Sequence, residues 1–153
     1  MKINSQLIEA HIFRQVNANL EFLLLKRSEN DIYPGLWQMV TGSVEQGENA
    51  YHAALREINE ETGFKPHRFW IVPNVNSFYS HQDDSIYLIP VFAALVQDGG
   101  EVTISGEHSE YKWVTKDEAV KLLAWPGQRR SVETISEYYS SQWNFLTFVE
   151  ISL

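Results

Sequence analysis

The sequence predicts an α/β (α+β) protein built on a central mixed sheet with helices packed against it. Three observations lead there. The 153 residues are 44% hydrophobic and 21% charged, which is globular usage with enough chain to bury a core. Strand-like and helix-like stretches mix without a regular βαβ alternation. No repeat, charge block or linker-like composition shift divides the chain, so residues 1–153 are expected to form a single domain.

The elements follow in order. Ile8 to Val16 and Glu21 to Arg27 read as two strands around a polar turn at Asn17-Ala18-Asn19. Ser28 to Gly35, carrying Asn30, Asp31 and Pro34, is a loop. Leu36 to Val40 is a short apolar run ending at Thr41-Gly42. Asn49 to Thr62 is the clearest helix, carrying Ala50, Ala53, Ala54 and Leu55, free of Gly and Pro, with Gly63 placed as its C-cap. Phe69 to Phe78 and Ser85 to Val96 read as strands. Asp98-Gly99-Gly100 reads as a hairpin turn with Glu101 to Ser105 as the returning strand. Tyr111 to Val114 is a further strand, and Thr115 caps a helix over Lys116 to Leu123, with Glu118 placed for a capping box. Pro126-Gly127 breaks the chain, and Gln128 to Ser141 is a helix with Val132, Ile135 and Tyr139 on one stripe.

Composition excludes several function classes. The absence of cysteine removes disulfides, thiolate zinc sites and cysteine nucleophiles, and fits a reducing, cytoplasmic setting. Twelve Lys and Arg against twenty Asp and Glu leave a net charge of −8, the wrong sign for a nucleic-acid footprint. The longest apolar stretch, Tyr87 to Val96, has ten residues and contains Pro90, too short to span a bilayer. Neither a membrane nor a nucleic acid is therefore expected as partner. An anionic substrate would need metal ions between two negative partners.

On a wheel at about 100° per residue, Ala50, Ala53, Glu57, Glu60 and Glu61 fall on one face of the 49–62 helix. Tyr51, Leu55, Ile58 and Thr62 fall on another, the expected core stripe. Three carboxylates at i, i+3 and i+4 repel one another, and a divalent cation is the simplest compensation, since hard cations choose carboxylate oxygens. The alanines would leave room beside it for substrate. A solvated acidic face is the alternative for the helix taken alone.

The flanks decide between these. Gly42 to Phe64 fits Gly-x5-Glu-x7-Arg-Glu-U-x-Glu-Glu-x-Gly-U, with U a bulky aliphatic or aromatic residue, at Gly42, Glu48, Arg56, Glu57, Ile58, Glu60, Glu61, Gly63 and Phe64. This stretch resembles the Nudix box with every position filled. The resemblance implies an α/β/α sandwich that hydrolyses a nucleoside diphosphate linked to another group, with Mg²⁺ as cofactor and Mn²⁺ as a substitute. It implies Glu57, Glu60, Glu61 and the Gly42 carbonyl as metal ligands. Glu48 would steady the loop or the helix start, and Arg56 would pair with and orient a box carboxylate. Water would attack one phosphorus directly, with no covalent intermediate.

Further segments resemble the dihydroneopterin triphosphate pyrophosphatase and dATP pyrophosphohydrolase branch. Glu107-His108-Ser109-Glu110-Tyr111-Lys112-Trp113 is similar to a run whose first Glu serves the metal or the attacking water, which implies Glu107 as ligand and base, with Glu110 as its competitor and His108 structural. Trp37 to Glu45 resembles the branch's box entry, and Trp125-Pro126-Gly127-Gln128-Arg129-Arg130 is akin to a later run. Arg27 is implied as a phosphate contact, with Trp37 and Tyr79 as substrate-binding candidates. The expected reaction splits a (deoxy)nucleoside triphosphate or dihydroneopterin triphosphate between α and β phosphates, releasing the monophosphate and pyrophosphate. Asp83 and Asp84 depart from the basic character of the branch here and count against a pterin. Tyr79, fifteen residues after Phe64, also resembles a position in dinucleoside polyphosphate hydrolases, the alternative activity. A nucleotide-binding domain without turnover is the alternative of a different class. The aromatic tail Trp143 to Phe148 packs either on its own sheet or on a second subunit, so a homodimer is an open expectation.

Overall fold

The computed structural model describes residues 1–141 and 143–153. Its strands are β1 (Lys2–Asn4), β2 (Leu7–Val16), β3 (Asn19–Arg27), β4 (Trp37–Gln38), β5 (Val40–Ser43), β6 (Arg68–Ser80), β7 (Ser85–Leu95) and β8 (His108–Thr115). Its helices are α1 (Ala50–Thr62), α2 (Lys116–Leu122), α3 (Pro126–Ser141) and α4 (Trp143–Leu146). Among the described residues no helix is long and apolar enough to cross a membrane.

The sheet is mixed. β7 runs parallel to β1 and β2, and the remaining pairs are antiparallel. Alternation along β2 splits its side chains between two cores, as a pleated strand covered on both faces requires. Ile8, Ala10 and Ile12 join Ala53, Ala54 and Ile58 of α1 in one core. Phe13 and Phe22 join Ala119, Leu123, Val132 and Ile135 beneath α2 and α3 in the other. Helices thus cover both faces, which is the α/β/α sandwich.

One irregularity positions the site. β2 and β3 pair only from Phe13↔Phe22 to Val16↔Asn19. Beyond that pair they splay, and the gap between them admits β5 against β2 and β4 against β3. The splayed end carries Gly42, Arg27 and Gln38 together.

Three expectations need correction. Glu101 to Ser105 forms no strand, because β7 is already paired on both edges, by β6 on one and by β1 and β2 on the other. Val102 and Ile104 pack on the α1-side core instead, and the Thr103 amide donates to the Thr62 carbonyl at 2.9 Å. Pro126-Gly127 opens α3 rather than preceding it, since proline tolerates a first-turn position where its missing N–H goes unused. Ala53 is fully buried in the core and leaves no room beside a metal. Thr115 caps α2 as expected, accepting from the Glu118 amide at 3.3 Å. In the C-terminal tail Leu146 is buried while Phe145 and Phe148 are exposed; the side chain of Trp143 lies outside the described residues.

Candidate metal and substrate site

Helical period puts Glu57, Glu60 and Glu61 along one edge of α1, and that edge meets β5. Gly42 is where they meet. A Cβ there would stand 2.3 Å from the Glu57 carboxyl carbon, so the carboxylate occupies the space a side chain would fill. The glycine is required by this approach rather than by its dihedral angles.

Arg56 organises the cluster. Its Nε and Nη2 donate to the two oxygens of Glu48 at 3.0 Å each, and Nη2 donates also to the Ser43 carbonyl at 2.9 Å. Its Nη1 donates to Glu57 at 2.9 Å and Glu60 at 3.2 Å. A planar fork with several donors can tie the incoming loop to the helix in this way; an ammonium cannot. Glu48 also accepts from the Glu45 amide at 3.1 Å, and Arg56 holds its carboxyl below the ordinary value.

Glu61 is in a different state. It is 3% exposed, and its Oε2 is buried without a hydrogen-bond partner. Burial, followed by the charges of Glu57 and Glu107, pushes its carboxyl up to about 9, with Arg27 acting in the opposite direction. Burial raises Glu57 as well, against the Arg56 hydrogen bond. An orphaned buried carboxylate oxygen beside two further carboxylates is a site short of positive charge.

Glu107 reaches the cluster from a separate element. The Ser28 amide donates to its carbonyl at 3.0 Å, which holds the turn before β8 against the end of β3. Its charge acts on both Glu57 and Glu61. Glu110 sits elsewhere: it pairs with Lys26 at 2.9 Å. His108 is buried, its Nε2 3.2 Å from Gln38 Nε2, and burial followed by the Arg27 charge lowers its pKa.

The structure brings Gly42, Glu48, Arg56, Glu57, Glu60, Glu61 and Glu107 together, with Arg27 at the margin. The Arg27 guanidinium is already engaged by the Ile32 carbonyl, by Gln38 at 3.2 Å and by Asp31 at 3.6 Å. Trp37 pairs in register with Lys26 and packs on the α2–α3 core, with Lys112 over its ring at 4.6 Å. Tyr79 stands on the β6–β7 hairpin, where its hydroxyl donates to Asp84 at 3.1 Å. Neither ring joins the carboxylate cluster. Gln38 and the loop 31–36 do belong to its surroundings and were not singled out by the sequence. Only the splay of β2 from β3 reveals them.

The donor set suits a hard divalent cation: carboxylates, one of them orphaned, around a glycine that clears the approach. Among the described residues no three His, Asp or Glu side chains are already gathered tightly enough to hold an ion, because Arg56 draws Glu57 and Glu60 to itself.

Comparison with known proteins agrees with this geometry. The NUDIX domain family model matches residues 8–135. An octanoyltransferase of Myxococcus xanthus is 33% identical over 106 residues, 65% of this chain; the chain spans only 28% of that protein's length. The asymmetrical bis(5'-nucleosyl)-tetraphosphatase of Mus musculus is 28% identical over 82% of this chain and 84% of its own. The nucleoside triphosphatase NudI of Salmonella arizonae is 30% identical over 63% of this chain and 74% of its own. Among solved structures, the dihydroneopterin triphosphate pyrophosphohydrolase of E. coli superposes with a TM-score of 0.71 at 25% identity, over 86% of this chain and 96% of that one. A C. elegans Ap4A hydrolase shares the fold at a TM-score of 0.75 and 23% identity, over 89% and 98% of the two chains. Members of this family generally use a divalent metal. With the family model covering the chain from β2 into α3, and the complete box folded as a loop and helix around Gly42, the chain belongs to the Nudix hydrolase family.

Proposed function

We propose that this Nudix hydrolase is a Mg²⁺-dependent pyrophosphohydrolase of a (deoxy)nucleoside triphosphate or a pterin analogue of one, releasing the monophosphate and pyrophosphate. The observation that carries the reading is the buried, partnerless Oε2 of Glu61 beside Glu57 and Glu107, a set of oxygen donors suited to a hard cation.

Glu57, Glu60, Glu61 and the Gly42 carbonyl would hold the ion, with Glu107 beside them. Bound there, Mg²⁺ would offset the charge of the anhydride and make the attacking water more acidic. Arg56 keeps Glu57 aimed across Gly42 and ties it through Glu48 to the loop before α1. Glu107, on a separate turn, accepts the proton of the water as it attacks. Arg27 places positive charge at the same margin and fixes the loop 31–36. No side chain needs to form a covalent bond, in keeping with a chain without cysteine.

Incubation with nucleoside triphosphates, dihydroneopterin triphosphate and dinucleoside polyphosphates in Mg²⁺, followed by ³¹P NMR of the products, tests the reading. Monophosphate plus pyrophosphate is expected. Orthophosphate as the first product would contradict it. The murine relative's match supports a second reading, cleavage of a dinucleoside polyphosphate, which the same spectra distinguish by a nucleoside triphosphate product.

A further inference from the structure

Several large aromatic side chains stand outside both cores, and two of them meet beside the loop that follows Arg27. Tyr33 is 61% exposed and Trp125 is 47% exposed, and their ring centroids lie 5.9 Å apart at an interplanar angle of 72°. Each is held on stiff backbone. Tyr33 has a left-handed φ of 54°, uncommon for a bulky residue, and its carbonyl accepts from the Leu36 amide at 3.2 Å. The loop around it is fastened to Arg27: the guanidinium donates to the Ile32 carbonyl, the Arg27 amide donates to the Leu36 carbonyl at 2.9 Å, and the Gly35 amide donates to the Arg27 carbonyl at 3.0 Å. Trp125 stands at the corner between α2 and α3. Its carbonyl accepts from the Gln128 and Arg129 amides at 3.1 and 3.2 Å, while the Arg129 guanidinium donates to the Leu123 and Ala124 carbonyls at 2.9 and 2.7 Å.

A strained backbone persists when its surroundings over-determine it, and such strain gathers at ligand clamps. Here the over-determining group is Arg27, the same cation whose charge acts on Glu61. The Ser28 amide, next along the chain, donates to the Glu107 carbonyl at 3.0 Å, so hydrogen bonds join the loop under Tyr33 to the turn that carries Glu107. Two edge-to-face rings, exposed and fixed, offer π surface without an ordering cost on binding.

We propose that Tyr33 and Trp125, braced edge to face, form an aromatic platform on whose exposed face the planar heterocycle of the anhydride substrate stacks. The proposal rests on the anhydride-hydrolase reading above and names the residues that select among its substrates. Because stacking grows with ring area, the platform favours purine or pteridine rings over a single pyrimidine ring.

The test is equilibrium binding in Mg²⁺ of the α,β-methylene analogues of a purine and a pyrimidine nucleoside triphosphate, with inorganic pyrophosphate as the phosphate-only probe. Tyr33→Ala and Trp125→Ala should each weaken the purine analogue by about 10–100-fold, weaken the pyrimidine analogue less, and leave pyrophosphate unchanged, with Trp125→Phe recovering most of the loss. Wild-type affinity for the purine analogue in both alanine variants would overturn the platform, as would an equal loss for pyrophosphate. If the alanine variants behave as expected but no anhydride is turned over, the hydrolase reading fails and the platform stands. Turnover with an unchanged KM in the alanine variants has the opposite meaning.

Discussion

Arg56 shows how much a single side chain can organise. It binds Glu48, Glu57, Glu60 and the Ser43 carbonyl at once, and so couples the loop before α1 to the carboxylates on it. The box resemblance implies Arg56 as a partner of one box carboxylate, and helical period sets it four residues before Glu60. Its reach over several groups depends on where loop 43–48 folds, and helical period carries no information about that. The three glutamates were legible for the opposite reason: i, i+3 and i+4 on a helix fix their common edge. Glu107 and Glu110 are separated by their surroundings, one electrostatically joined to Glu57 and Glu61, the other paired to Lys26. Glu107→Gln is expected to lower kcat by about 10²–10⁴ with little change in KM, and Glu110→Gln by less than about tenfold. Steady-state kinetics at saturating Mg²⁺ check this; a larger loss in the Glu110 variant would place the base on the wrong residue.

Among the elements, the contact of β5 with α1 defines the site, and Gly42 is its closest point. In Gly42→Ala the new methyl would collide with the Glu57 side chain rather than with backbone, so that side chain must swing away. The expected result is a fall in kcat of about 10² or more, with unfolding free energy changed by less than about 1 kcal/mol in urea titration. A large stability loss with normal turnover would show that the contact is structural. The extent of α1 is readable down to Gly63, whose φ of 78° closes the helix, while the burial of Ala53 is not. The segment 101–105 has the alternation of a strand at Val102 and Ile104, while no free edge of β7 remains to receive one. A strand needs a partner as well as a pattern, and the partner is a property of the whole sheet. Trp37 and Tyr79 show a related limit: an aromatic residue's type is visible in sequence, but which sheet face or hairpin it occupies is not.

For the molecule as a whole, the two faces of the sheet have different electrostatic character. His11, on the α3 side of β2, is fully buried, and burial lowers its pKa from 6.5 to about 3. The folded state therefore binds fewer protons there than the unfolded chain, so this contribution to stability is complete above pH 6.5 and is lost as pH falls towards 3. Glu9, two residues before it on the same face, accepts from Asn76 at 2.5 Å, and burial raises its pKa above 4.5. It acts with the opposite sign, its contribution declining as pH rises past the ordinary carboxylate range. Thermal melts between pH 7 and 4 should show a shallower acid limb in His11→Gln than in the wild type, whatever the variant's absolute stability; parallel limbs would mean that His11 is protonated in the fold.

The α1 face holds the central claim, that clustered carboxylates at Gly42 bind the divalent cation that hydrolysis requires. The most direct measurement is Mn²⁺ binding by electron paramagnetic resonance together with turnover of a nucleoside triphosphate, in the wild type, Glu57→Gln and Glu61→Gln. Wild-type protein should bind the ion and lose all turnover in excess chelator, with Mg²⁺ restoring it. Each variant should bind Mn²⁺ more weakly and turn over about 10²–10⁴ times more slowly while melting near the wild-type temperature. Unchanged Mn²⁺ affinity in both variants, or full turnover in chelator, would contradict the account and leave the acidic edge of α1 as a solvated surface.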